Sequence, residues 1–307
     1  MKRRTFIKIS YGIAGLMATG NVLALPAAGR RKVIRFGVIT DVHYADRDPI
    51  GTRRYRQSID KLNDAMDVFN QSNLDFIIEL GDLKDMKNFD KNESLAFLDK
   101  IEKVFQKFQG PKYHVLGNHD MDCISKSDFL QHTVNTGNAN GKNCYSFVQK
   151  GVKFIVLDAN YNADGSDYDQ GKFDWTKAYV SEPQKTWLGK ELDSKYPAVV
   201  FVHQLLDSFS GVEKELYVAN APEVVEILER RNNVLAVFQG HHHGGHYGFR
   251  NGIHYFTMKG AIEGPYPENN QFAVIEIDRS GQQFEQKLYH GKNSPHDMRT
   301  DIFGKQS

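Results

Sequence analysis

Five short blocks of the sequence collect residues able to hold a metal ion: Asp41-Val42-His43, Gly81-Asp82, Gly117-Asn118-His119-Asp120, a single His203, and Gly240-His241-His242-His243. Carboxylate, imidazole and amide oxygen together suit hard-to-borderline divalent cations such as Mn, Fe or Zn. The only cysteines in 307 residues are Cys123 and Cys144, too few for a thiolate-rich zinc site. Twelve histidines supply the other ligand type generously. Taken singly, each residue has an ordinary explanation, because a strand-end Asp usually forms a turn and a lone His usually sits at the surface. Five such blocks in one chain exceed what that explanation accounts for. Asp41 and His43 are two apart, as are His241 and His243, so in extended backbone both members of a pair face one way and can address one site. Gly81, Gly117 and Gly240 let the chain turn sharply and let backbone approach a bound group.

Each block lies just past, or at the end of, a β-rich apolar run. The runs at Lys32–Thr40, Leu74–Leu80, Lys112–Leu116, Val152–Leu157, Ala198–Val202 and Val234–Phe238 read as strands buried on both faces. Between them, Ile59, Leu62, Met66 and Phe69 form one helical stripe, and Leu95, Leu98, Ile101, Phe105 and Phe108 another. Further helices are predicted near Ser181 and at Pro222, a first-turn proline. Alternation of strand and helix implies an α/β sheet whose strand carboxyl ends bind the ligand. Cys144–Val148 running into Val152–Leu157, and Ile253–Met258, Phe272–Ile277 and Phe284–Tyr289 following one another without helices, break that alternation. They favour antiparallel pairing, so two mixed sheets packed face to face are expected. One domain spans 31–291, and the polar tail 292–307 is expected to be loose.

Read in order, the blocks spell D-x-H, G-D, G-N-H-D, H and G-H-x-H. This resembles the calcineurin-like metallophosphoesterase superfamily from Val33 to about His290. The resemblance implies an α/β fold, a four-layer α/β/β/α sandwich of two mixed sheets. It also implies that Asp41, His43, Asp82 and His243 hold one metal, with Asp82 bridging, and that Asn118, His203 and His241 complete a second. Two divalent ions, manganese foremost with Fe or Zn as alternatives, would lie about 3.5–4 Å apart, polarise phosphoryl oxygens and activate water for in-line attack. His119 is assigned to the leaving group as proton donor or charge stabiliser, with Asp120 placed to orient it. His242 is expected to point away, and His246 is a candidate substrate contact. Purple acid phosphatases are similar in two blocks but carry Tyr where Asp85 stands here and lack the His at position 43. Non-catalytic scaffolds with this fold typically lack part of the ligand set, which is complete here.

Two stretches outside the metal pattern narrow the resemblance. Tyr44-Ala45-Asp46 with Gly51-Thr52-Arg53-Arg54-Tyr55-Arg56, and Gly244-Gly245-His246-Tyr247 with Gly260-Ala261-Ile262-Glu263-Gly264-Pro265, are similar to the manganese-dependent ADP-ribose/CDP-alcohol diphosphatase family. Thr52 is predicted to cap a helix starting near Arg53. Three cations, Arg53, Arg54 and Arg56, would then oppose the helix dipole at about 0.3–1 kcal/mol each. An anionic ligand would offset this, and Arg53 and Arg54 suit bidentate phosphate contact; a solvated basic helix end is the alternative. Tyr44, Tyr247 and Tyr266 are candidates to pack on a base or a choline-like group. The expected function is two-metal hydrolysis of nucleoside diphosphate-linked substrates such as ADP-ribose or CDP-alcohols. A broad periplasmic phosphomonoesterase is the runner-up, and a metal-binding scaffold without turnover comes last.

With 39 basic and 38 acidic residues, the chain has no charge footprint for nucleic acid, so a small-molecule phosphate ester or nucleotide is the expected partner. Lys2-Arg3-Arg4-Thr5-Phe6-Ile7-Lys8 followed by uncharged Ile9–Ala28 has the layout of an export signal and resembles the twin-arginine type. Residues 1–28 would engage the twin-arginine export machinery. Cleavage would leave a periplasmic, mildly acidic protein with no stable membrane association, whereas a retained segment would anchor it. An oxidising compartment would permit a Cys123–Cys144 disulfide; two inert thiols are the alternative.

Overall fold

In the first apolar run Ile34, Phe36 and Val38 face one core and Ile39 another, so the strand is buried on both sides. A computed structural model describes residues 33–138, 141–278, 283–291 and 295–301. The export signal expected at 1–28 lies outside the described residues. Strand β1 (Val33–Ile39) pairs in parallel with β2 (Phe76–Glu79), and β2 with β3 (Lys112–His114). A second sheet holds β4 (Tyr145–Gln149), β5 (Val152–Val156), β6 (Ala198–Phe201), β7 (Val234–Gln239), β8 (His246–Arg250) and β9 (Ile253–Thr257). Its order is β4-β5-β6-β7-β9-β8, with β5, β6, β7 and β9 parallel and both edge strands antiparallel. The chain then returns to the first sheet as β10 (Gln271–Asp278), β11 (Gln283–His290) and β12 (Pro295–Asp301), giving the order β12-β11-β10-β1-β2-β3.

Alternation along the strands divides the apolar residues among three cores. Phe36, Phe76, Phe154, Phe201 and Phe238 meet between the sheets, where Phe36 stacks on Phe76 at 4.9 Å and meets the other three edge-on. Their neighbours Ile39 and Ile77 face outward to α1 (Ser58–Gln71), α2 (Lys91–Phe105) and α3 (Lys126–His132) through Met66, Phe69, Ile101 and Phe129. On the far side, Ile155, Val200 and Val237 pack on α4 (Glu182–Leu192) and α5 (Ala221–Glu229) through Leu188, Val224 and Leu228. Helices, sheet, sheet and helices form the four expected layers. Among the described residues, no helix is long and apolar enough to cross a membrane.

Two expectations change, and one pair of alternatives is decided. No helix starts at Arg53: residues 50–53 form a tight turn with Gly51 at φ 55°, Arg53 bridges to both Ile50 and Glu263, and α1 begins at Ser58 after one 3-10 turn. The segment expected to be loose past Gly291 instead supplies β12, which pairs with β11 from Gln283↔Asp301 to Tyr289↔Pro295. Cys123 and Cys144 are both free thiols; Cys123 is buried beside the Met86 sulfur and the Asn88 carbonyl, and burial pushes both thiols up in pKa.

Candidate metal centre

Parallel strands deliver their carboxyl ends to one edge of the sandwich, and the ligand blocks follow from there: Asp41 after β1, Asp82 after β2, Asn118 after β3, His203 after β6, His241 and His243 after β7. Four of these residues adopt left-handed backbone: Asp41 (φ 52°), His43 (φ 48°), Asp82 (φ 59°) and His241 (φ 65°). Such strain clusters where function requires a side chain that regular backbone would aim elsewhere. Glycine makes the crowding possible. A Cβ on Gly117 would lie 2.2 Å from the Asp82 carboxylate, and one on Gly81, itself at φ +101°, would lie 2.6 Å from the His203 ring.

The side chains converge in two groups, Asp41 with His43 and His243, and Asp82 with His203 and His241. His43 Nε2 and His243 Nε2 face each other at 3.3 Å, and Asp41 Oδ1 lies 3.7 Å from the first and 3.3 Å from the second. A single oxygen, Asp82 Oδ2, stands 3.5 Å from His43 Nε2 and 3.2 Å from His203 Nε2, the position a bridging carboxylate needs. Asp41 Oδ1, Asn118 Oδ1, His203 Nε2 and His241 Nε2 are buried without a hydrogen-bond partner. Leaving four buried polar atoms unpaired is costly, and coordination to divalent cations removes the cost. The seven residues therefore fit a dinuclear centre, with both carboxylates held low and His241 neutral. Burial opposes the charge on Asp41 and Asp82, but facing imidazoles outweigh it and hold both carboxyls well below their usual range. Burial and the His203 charge push His241 down to about 3, leaving its lone pairs free.

The non-coordinating nitrogens are held as well. His43 Nδ1 pairs with Asp85 Oδ2 at 3.0 Å, His243 Nδ1 with Glu263 Oε1 at 2.6 Å, and His203 Nδ1 with the Leu80 carbonyl at 2.8 Å. Such contacts fix the tautomer and orient the ligand. His119 is half-buried, its backbone N–H donates to Asp82 Oδ1 at 2.8 Å, and its Nδ1 meets Asp122 Oδ2 at 2.8 Å. Asp122 thus has the orienting role expected of Asp120. The buried Asp120 carboxylate instead accepts the backbone N–H groups of Gly117, Asp82 and Lys84, and so braces the two loops that carry Asn118 and Asp82. The reason is the 3-10 turn His119–Met121, which turns residue 120 inward and brings the i+3 residue to the ring.

Arg53 is drawn to the centre by its bridge to Glu263, and its charge reaches both His243 and Glu263. Arg54 turns back on its own loop, donating to the Gly51 and Arg53 carbonyls, and Arg56 pairs with Asp46 and Asp48. His246 opens β8 and lines a cavity of about 470 Å³ with Tyr247, Phe256 and Tyr289; it is in neither ligand group. His242 is likewise in neither. Tyr44 is buried against Phe97 in the helical layer and does not face a ligand. Sequence reading missed Asp122 and Glu263, and used Asp85 only to set one branch aside. The three-residue spacings Asp82 to Asp85 and His119 to Asp122 were available signals; nothing local marks Glu263.

The calcineurin-like phosphoesterase family model matches residues 34–245, which contain all seven ligands. The chain belongs to the calcineurin-like phosphoesterase family. It is a metal-dependent phosphoric ester hydrolase. Manganese-dependent ADP-ribose/CDP-alcohol diphosphatases are similar over most of the chain. That of Arabidopsis thaliana is 30% identical, covering 82% of this chain and 93% of its own, and that of Oryza sativa is 29% identical, covering 85% and 93%. A dimetal phosphatase from Danio rerio shares the fold with a TM-score of 0.73 at 22% identity, covering 86% of this chain and 98% of its own.

Proposed function

We propose that this hydrolase cleaves the phosphoanhydride of a nucleoside diphosphate linked to a sugar or alcohol, with ADP-ribose and CDP-alcohols as the substrate class and manganese as the metal. The observation that carries the reading is Arg53, whose backbone bridges to Glu263, the residue that pairs with His243 Nδ1 at 2.6 Å, so that its positive charge acts on both. A diphosphate brings a second phosphoryl group beyond the metal-bound one, suited to bidentate contact with a guanidinium. The names of the Arabidopsis and rice relatives support the same class.

Bound divalent ions would supply Lewis-acid polarisation of the phosphoryl group and an activated water. Asp41, His43, Asp82 and His243 would hold one, and Asn118, His203 and His241, with Asp82 shared, the other. His119 protonates the leaving oxygen from Nε2 while Asp122 holds Nδ1. Burial disfavours the imidazolium, but the Asp82 charge and the Asp122 hydrogen bond outweigh burial and raise its pKa to about 9, a shift that divalent ions held by Asp82 would reduce. Hydrolysis of ADP-ribose, CDP-choline and p-nitrophenyl phosphate, measured side by side with the manganese-loaded protein, tests the reading. The expected result is nucleotide release with little monoester cleavage, and Arg53→Ala should raise KM for ADP-ribose about tenfold. Efficient monoester cleavage with no nucleotide release would show a broad phosphomonoesterase instead.

We also propose export to the periplasm through the signal at residues 1–28, on the strength of Arg3-Arg4 followed by an uncharged stretch. Fractionated cells should hold the protein in the periplasm and lose it from there in an Arg3→Lys, Arg4→Lys double variant; an unchanged distribution would refute the signal.

A further inference from the structure

A base-bearing substrate needs a flat apolar surface near the metals, and two of the three tyrosines expected to supply it do not, while Tyr266 is half-buried in the loop after Glu263, its backbone N–H donating to Gln57 Oε1 at 2.9 Å. Tyr44 is buried in the helical layer, and Tyr247 packs on His254 and Phe256 at the cavity between the sheets. Trp175, which no sequence motif marked, has its indole 44% exposed and 5.8 Å from the ring of the metal ligand His241, edge to face.

The backbone that presents the indole is firmly held. It opens a 3-10 turn, Trp175–Lys177, where Asp174 accepts the Thr176 N–H at 3.1 Å and the Thr176 hydroxyl at 2.6 Å. On the upstream side Phe173 stacks on buried Tyr168 at 4.1 Å, and the Tyr168 hydroxyl donates to the Asp174 carbonyl. On the downstream side buried Ala178 accepts the Ala219 N–H at 2.7 Å. An aromatic surface held this way loses little conformational entropy when a ligand stacks on it.

We propose that Trp175 is the nucleobase platform of this enzyme, the residue that selects nucleotidyl substrates over base-free phosphate esters. The inference rests on the nucleoside diphosphate reading above and deepens it. Arg53, bridged to the Glu263 that pairs with His243 Nδ1 at 2.6 Å, lies on the His243 side of the centre and Trp175 on the His241 side, so a phosphate chain across the metals with its far phosphoryl toward Arg53 leaves its nucleoside end at the indole. Stacking is tolerant of base identity because every base has a π-face. Purine and pyrimidine substrates should therefore both be accepted.

The chain has two tryptophans, so in a Trp187→Phe background fluorescence reports Trp175 alone. Titration of the manganese-loaded protein with AMP is expected to quench that signal saturably, and ribose 5-phosphate, which lacks the base, is expected to leave it unchanged. By calorimetry, Trp175→Ala should weaken AMP and CMP about tenfold or more, leave ribose 5-phosphate unchanged, and raise KM for ADP-ribose with kcat nearly constant. Trp175→Phe should retain most of the affinity. Equal loss for AMP and ribose 5-phosphate, or unchanged AMP affinity in Trp175→Ala, would overturn the platform while ADP-ribose turnover by the parent protein keeps the substrate reading intact. A parent protein that neither hydrolyses ADP-ribose nor binds AMP would overturn both.

Discussion

Around Asp41, both imidazoles turn their far nitrogen to a carboxylate, His43 to Asp85 at 3.0 Å and His243 to Glu263 at 2.6 Å. In the other half, His203 turns to the neutral Leu80 carbonyl and Asn118 contributes an uncharged amide oxygen. A carboxylate behind an imidazole makes the ligand more basic and its metal bond stronger. The two halves, which share Asp82, should therefore bind unequally: the Asp41 half tightly, the Asn118 half loosely and closer to exchange with solution. Trp175 lies against the looser half, so the nucleoside end of a substrate is expected to meet the metal that the protein itself holds less firmly.

The severest way to break this comparison is to remove what the halves share. Asp82→Ala should lose both metals and all measurable turnover; elemental analysis that still found two ions would refute the bridge. His119→Ala comes next, lowering kcat about 10²- to 10⁴-fold with both metals retained, as metal content and steady-state kinetics would show. Glu263→Gln and Asp85→Asn should each weaken metal in the Asp41 half about 10- to 100-fold. If the halves are unequal, chelator titration of the parent protein releases metal in two steps, and these variants bring the steps together. The smallest effect is expected from Asp122→Asn. A proton donor must be protonated, so the rate falls as pH rises through the His119 pKa; removing one of the carboxylates that raise it should move that limb to lower pH in a pH–rate profile.

The ligands and the sheets were legible in the chain because both leave local marks. Doubly buried strands read as unbroken apolar runs, and β1, β5 and β7 fall within about a residue of those runs. Edge elements did not read that way. Strand β8 is the half-exposed His246–Arg250, paired on one side only, and α3 is a single short helix whose Ser125-x-x-Asp128 capping box was the one available cue. The expected helix at Arg53 failed for a tertiary reason: pairing with residues 262–264 satisfies backbone there that would otherwise have been helical.

By itself, then, the sequence determined the layered fold and the five blocks of candidate ligands, since each is encoded by residue type, period or spacing within one short segment, whereas the roles of the seven candidate ligands and of His119 followed from the family resemblance. Only the tertiary structure decided which groups support those ligands. Asp122 displaced Asp120 because a 3-10 turn chose the residue facing the ring, and Glu263 reached His243 because a loop 20 residues further along the chain folds back over it. Trp175 is silent in the sequence for the same reason. A stacking surface is defined by what lies beside it, and its neighbour His241 comes from another strand end of the sheet.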